Sequence, residues 1–169
     1  MERDFGTSQG SVDLLASAVA ERLLASNIPA RYAYIARDGT PRVVPSWFHW
    51  TGDEIVMPTF ISAPHVRHPA YRVRALRANP EVAITIDTEA FPPESVTIRG
   101  SAEITEVDGI VPEYALAAHR YLGEAEATGY LAQIDHPSTR MARIAVRPAW
   151  VGVLDFQARL PSALGGVAG

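Results

Sequence analysis

Apolar and polar positions along this chain change period several times, and each change marks a predicted element. Leu14, Leu15, Ala18, Val19 and Leu23 recur at helical spacing behind the capping side chains of Ser11 and Asp13. The spacing predicts a helix over 12–25, ended by Asn27 and Pro29. From Arg31 the period falls to two, with Tyr32, Tyr34 and Ala36 alternating with Ala33 and Ile35. Arg37-Asp38-Gly39-Thr40 supplies a hairpin turn into a second strand over 41–50. Thr51-Gly52-Asp53 turns the chain again into a third strand over 54–60, so a three-strand antiparallel meander is expected.

The second half repeats the exercise with different signals. Tyr71 to Ala78 carries helix formers and stops at Asn79-Pro80. Strands are predicted over 81–86 and 95–104, either side of the proline-broken loop at Phe91-Pro92-Pro93. Two helices, 110–122 and 124–134, are separated by Gly123, and a last strand runs over 140–154 with Pro148 at an edge or bulge. Six strands in hairpin-like order with helices early, midway and late define an α+β domain around an antiparallel barrel. Its expected limits are residues 12–156, between a flexible N-terminus over 1–11 and a Gly/Pro-containing tail over 157–169.

Composition narrows the class. The 169 residues suffice for one domain with its own core, and 47% hydrophobic with 20% charged residues is a globular mixture. A net charge of -4 argues against a nucleic-acid partner. With no cysteine, disulfides, thiolate metal sites and cysteine nucleophiles are excluded. No apolar stretch reaches membrane-spanning length, and Met1-Glu2-Arg3-Asp4 does not open a signal peptide, so a cytoplasmic protein without a membrane partner is expected.

Candidate chemistry is sparse. Arg67, Arg72, Arg74 and Arg77 crowd one segment beside Thr59 and Ser62, near the start of a predicted helix, and guanidinium forks with helix N–H groups are the parts that hold a phosphate. A solvated helix face with arginines paired to carboxylates explains the same pattern. Pro45 removes a ladder donor within the second strand, which frees neighbouring backbone groups for a planar ligand or marks a barrel-edge bulge with Trp47 and Phe48 packed on opposite faces. His65 and His68 are bracketed by Pro64 and Pro69 with no carboxylate nearby, so no metal site is expected. Neither a nucleophile elbow, a GxGxxG fingerprint nor a P-loop occurs.

Four segments, in this order, resemble the FMN-binding split barrels related to pyridoxamine 5'-phosphate oxidase: Ala36 to Phe48, Val73 to Asp87, Thr97 to Ile104, and Met141 to Gly152. The resemblance spans about residues 12–156 and implies a six-stranded antiparallel split β-barrel with peripheral helices. It implies FMN as cofactor, with Val43, Val44, Pro45 and Ser46 at the isoalloxazine ring, Thr59 near the ribityl chain, and Arg67, Arg72 or Arg74 at the phosphate. Between Thr59 and the Val73-Arg74-Ala75-Leu76 helix the chain is several residues longer than is usual in the family. Two segments, His65 to Arg67 and Arg72 to Arg74, therefore compete for the phosphate, and the second, which runs into Leu76 and Asn79-Pro80, is favoured.

The resemblance further implies a homodimer with the site at its interface, and Trp150 near the partner's flavin. It does not extend to the C-terminal region with which true pyridoxamine phosphate oxidases bind substrate, so another small molecule is expected. The function implied is a flavin-dependent oxidoreductase. A deazaflavin-dependent reductase and a non-catalytic flavin or tetrapyrrole carrier or sensor are the alternatives on the same barrel.

Overall fold

The computed structural model of the protein describes residues 8–68 and 70–155; the expected tail over 157–169 and the first seven residues of the expected flexible N-terminus lie outside that range. Nine strands form around a shared core, in the order β2-β1-β6-β7-β8-β4-β3, with β5 also on β8 and β9 also on β7. They are β1 (Ala30–Ile35), β2 (Pro41–Ser46), β3 (His49–Trp50), β4 (Ile55–Val56), β5 (Thr59–Ser62), β6 (Glu81–Asp87), β7 (Glu94–Asp108), β8 (Arg140–Val146) and β9 (Trp150–Asp155). The helices are α1 (Ala18–Leu24), α2 (Tyr71–Ala78), α3 (Pro112–Leu122) and α4 (Glu124–Ile134). This is the split barrel of the predicted α+β class, with three more strands than the six expected, because two of the expected strands and the last one are each divided.

Each division has a local cause. The expected helix over 12–25 is a 3-10 turn, Val12–Ala16, followed by α1, because Ser17 adopts an extended backbone and its hydroxyl caps the amide of Ala20. The expected second strand ends at Ser46, and the chain resumes as β3 after Trp47 and Phe48. The expected third strand becomes β4 and β5, separated by Met57-Pro58. The meander is therefore replaced: among the described residues β2 pairs only with β1, whereas β3, β4 and β5 build the other half of the barrel, β4 and β5 directly on β8.

Strand β7 joins the two halves. Its first part lies between β6 and β9, and its second part pairs with β8 from Ala102↔Val146 to Asp108↔Arg140. Strands β8 and β9 follow β7 in line, interrupted at Arg147-Pro148-Ala149, where the expected edge irregularity at Pro148 occurs. Gly100 sits opposite that interruption, and a Cβ there would lie 2.4 Å from the carbonyl oxygen of Arg147. Its hydrogen atom is what lets the two strands close at this point.

The core is filled by large apolar side chains from both halves, including Tyr32, Phe48, Ile55, Met57, Leu76, Ile84, Ile98 and Ile144. Alternate residues of β6 and of the first half of β7 point into it, the period-two signature of a half-buried antiparallel sheet. Gly123, with φ at 83°, makes the corner between α3 and α4, which a residue with a Cβ rarely adopts. Arg77 and Arg140 both pair with Glu106, tying α2 and β8 to β7. Among the described residues no helix is long and apolar enough to cross a membrane.

Candidate functional site

Strand β2 is the end of the strand order, so its outer edge carries no partner among the described residues. Pro45 sits on this strand in an unbroken register, opposite Arg31, so the bulge alternative does not arise. An edge strand is where a missing N–H is tolerated, and it leaves main-chain groups directed at whatever lies alongside. After Ser46 the chain turns away: Phe48 enters the core while Trp47 stays partly exposed, and both rings meet Tyr121 of α3.

Beside that turn lies a cleft of about 440 Å³. One wall comes from the barrel, with Pro45, Ser46, Pro58, Thr59 and Phe60, together with Arg72 from the first turn of α2. The other is the α3–α4 hairpin, which contributes Tyr114, Leu122, Glu126 and Tyr130. Trp47 lies between the two, stacked on Tyr121 with ring centroids 5.1 Å apart and planes 5° from parallel. Phe60 meets Tyr114 edge-on at 5.4 Å. Aromatic faces at the sides and a few polar groups at one end are the usual composition of a site for a planar organic ligand.

The polar groups are specific. The Arg72 guanidinium donates to the Tyr32 hydroxyl at 3.3 Å and makes no ion pair among the described residues. Burial pushes the Tyr32 phenol up, an effect the Arg72 charge partly opposes. Thr59 is buried on β5, held by pairing opposite Ala142. Across the cleft the hydroxyls of Tyr114 and Tyr130 share a 2.6 Å hydrogen bond. Burial, and then that bond, push the Tyr114 phenol well up, so it stays protonated throughout the working range. Two hydroxyls in one mutual bond use one proton between them, which leaves the second O–H to be offered elsewhere.

Of the residues expected at the site, the cleft gathers Pro45, Ser46, Thr59 and Arg72. The others lie apart from it. Val43 is 65% exposed on β2, and Val44 faces inward onto the core. Arg67 is exposed in the loop before α2. Arg74 lines a separate small hollow with Arg77 and Glu106. Trp150 lies on β9 opposite Arg99, whose guanidinium sits 3.8 Å from its ring centre. The α3–α4 wall was not foreseen; its only trace in the sequence is Tyr114 and Tyr121, seven residues and two helical turns apart.

A flavin-type group fits these residues. The edge of β2 offers main-chain atoms to a ring edge, Trp47 and Phe60 offer apolar faces, and Arg72 is a partly buried cation with no ion pair among the described residues, Glu126 lying on the opposite wall.

The comparisons with known proteins define the class. The family model for pyridoxamine 5'-phosphate oxidase matches residues 18–154, and the chain belongs to that family. Among solved structures the chain is similar to an F420 reductase, at 26% identity with a TM-score of 0.56, over 77% of this chain and 93% of that one. It is also similar to the conserved hypothetical protein Rv2991 from Mycobacterium tuberculosis, at 22% identity with a TM-score of 0.61, over 92% and 94% of the two chains. A FAD-binding protein from Mesorhizobium loti shares the fold at 20% identity and a TM-score of 0.51, over 81% and 93%. No protein with a curated description matches the sequence.

Proposed function

We propose that the protein is a flavin-dependent oxidoreductase that holds FMN in the cleft between β2, β5, α2 and the α3–α4 hairpin and acts on a small organic molecule. The observation that carries this reading is the meeting of Pro45, Ser46, Thr59 and Arg72 in one aromatic-lined cleft. Three separate segments of the chain, each expected at a different part of one cofactor, line a single space. FMN, when bound, supplies hydride and single-electron transfer through its ring.

The chain's own residues bind, orient and shield. Main-chain groups of Pro45 and Ser46 on the free strand edge meet the ring edge, and Thr59 hydrogen-bonds the sugar-like side chain. Arg72 pairs with the phosphate, with Tyr32 fixing its guanidinium. Trp47 and Phe60 keep water from the ring faces, and the Tyr114–Tyr130 pair donates a hydrogen bond to a substrate oxygen. The β1–β2 hairpin leaves Val43 and Ile35 exposed, an apolar edge suited to a second copy of the chain closing over the site.

A deazaflavin coenzyme is the second reading, favoured by the similarity to the F420 reductase and by the surplus of cations. Arg67 and Arg74 form no ion pair among the described residues and stand on either side of Arg72 in sequence, more positive charge than one phosphate requires. A long acidic coenzyme tail would engage them.

Titration of the cofactor-free protein with FMN and with F420, followed by quenching of coenzyme fluorescence, tests both readings. Arg72→Ala is expected to weaken binding of the preferred coenzyme by about tenfold or more, the scale of one lost charge-assisted contact. Arg67→Ala with Arg74→Ala is expected to weaken F420 only. Equal affinity of wild type and Arg72→Ala for both coenzymes would remove Arg72 from the phosphate site, and binding of neither would overturn the function.

A further inference from the structure

A second and larger cavity, of about 670 Å³, lies elsewhere on the barrel between α1, the β3–β4 turn and α3. Leu15, Leu24, Trp50 and Leu116 give it an apolar lining, and its polar groups are His49 and Arg120, with exposed Glu21 at the rim. None of these residues lines the aromatic cleft. Helix α3 separates the two: Tyr114 and Leu122 face one, Leu116 and Arg120 the other.

Arg120 is the unusual member. One terminal nitrogen donates to the carbonyl of Leu24 at 2.9 Å, and the other donates to the carbonyl of Phe48. A guanidinium has five donor hydrogens, and these two bonds leave three: one on each terminal nitrogen and that of Nε, which is buried without a hydrogen-bond partner among the described residues. The rings of Phe48 and Tyr121 lie 4.4 and 4.9 Å from its central carbon. Yet no carboxylate pairs with it among the described residues, although every ion pair made by Arg31, Arg143 or Arg147 shows that acids are plentiful on this surface. Burial pulls its titration down, and only the Tyr121 phenol, not a carboxylate, opposes that effect. Burial, and then the Arg120 charge, likewise hold His49 below its ordinary value, so His49 is neutral at pH 7 and adds a hydrogen-bonding group rather than a second cation.

A half-buried cation without a counter-ion is costly, and aromatic faces offset only part of that cost. Tying two carbonyls would not require a charged group, and the cavity beside it is wider than packing defects in a close-packed protein. We propose that this cavity binds a small carboxylate with an apolar body, an aryl- or alkyl-carboxylate, whose head pairs with Arg120 while its body fills the space between Leu15, Leu24, Trp50 and Leu116. A single planar fork matches a monoanionic carboxylate; a phosphate dianion would meet one cation and the Glu21 rim. The site stands independently of the flavin reading.

Calorimetric titration of the full-length chain with 4-phenylbutyrate, and with 4-phenylbutanol as its uncharged counterpart, tests the proposal. One saturable site per chain is expected for the carboxylate, with the alcohol bound about tenfold more weakly or worse. Leu116 is 53% exposed, so replacing it leaves the core intact. Leu116→Glu, which sets an anion at the mouth, is expected to weaken phenylbutyrate by about tenfold relative to the equally shaped Leu116→Gln. Arg120→Met is expected to abolish binding, with near-ultraviolet circular dichroism reporting whether that variant folds. Arg72→Ala is expected to leave phenylbutyrate affinity unchanged, while Leu116→Glu keeps its coenzyme affinity. Equal binding of acid and alcohol, equal affinity of Leu116→Glu and Leu116→Gln, loss of phenylbutyrate binding in Arg72→Ala, or absence of a saturable site would each overturn it.

Discussion

Phe48→Ala is expected to lower unfolding free energy by about 3–5 kcal/mol, the cost of removing a phenyl ring from a core that cannot collapse around it. Phe48 has no exposed surface and sits in the central cluster, edge-on to Tyr121 with centroids 6.5 Å apart. Its ring also lies 4.4 Å beneath the Arg120 guanidinium, so the substitution takes an aromatic face from a half-buried charge. Against the roughly 5–15 kcal/mol that keeps most domains folded, the loss is large. For a chain of this size it corresponds to a fall in Tm on the order of 10 °C. Urea unfolding followed by far-ultraviolet circular dichroism measures it, and a change below about 1 kcal/mol would mean that the site relaxes far more than a packed core does.

Gly100→Ala carries the next largest effect, and for the opposite reason. The added carbon would lie 2.4 Å from the carbonyl oxygen of Arg147 and 2.9 Å from Cγ1 of Val146. Valine can rotate, but a backbone oxygen cannot leave without moving the strand that carries it. Overpacking of this kind costs about 1–3 kcal/mol, and a backbone partner places the expectation at the upper end. The urea midpoint should fall while the slope of the transition stays that of the parent, because the unfolded chain is nearly unchanged. An unchanged midpoint would show that β7 and the Arg147-Pro148-Ala149 link are farther apart in solution than the structure has them.

Much of this architecture is legible in the sequence wherever local signals and tertiary packing agree. Asn79-Pro80 ends α2 where expected, Gly123 separates α3 from α4, and Pro148 falls at the break between β8 and β9. Reading fails where apolar residues continue through a change of partner. The run from Pro41 to Trp50 has no internal punctuation after Pro45, yet the chain leaves one half of the barrel for the other between Ser46 and His49. Only the packing of Phe48 in the core and of Trp47 against Tyr121 determines where that happens. Ser17 is a milder case, since its capping role becomes visible only once the preceding turn is known to be 3-10.

The candidate site divides in the same way. Its barrel wall was accessible through family resemblance, which pointed to Pro45, Ser46, Thr59 and Arg72 but also to Arg74, now placed beside a different hollow. Residue chemistry alone left the arginine cluster open between a phosphate site and a paired surface. The structure divides the cluster: Arg77 pairs with Glu106, whereas Arg72 faces the cleft. Of the helical wall the sequence shows only the Tyr114–Tyr121 spacing, and nothing in the spacing of Tyr114 and Tyr130 announces that two helices fold back to bring their hydroxyls within 2.6 Å.

The fifteen residues of β7 are hydrogen-bonded to β6, β8 and β9, so both halves of the barrel hang on one strand. Neither half can open without stripping bonds from a segment that also anchors the other. Backbone amides near Ile98, in one half, and near Ile104, in the other, should therefore exchange with solvent deuterium at a common slow rate set by global unfolding. The barrel then behaves as one cooperative unit despite its split.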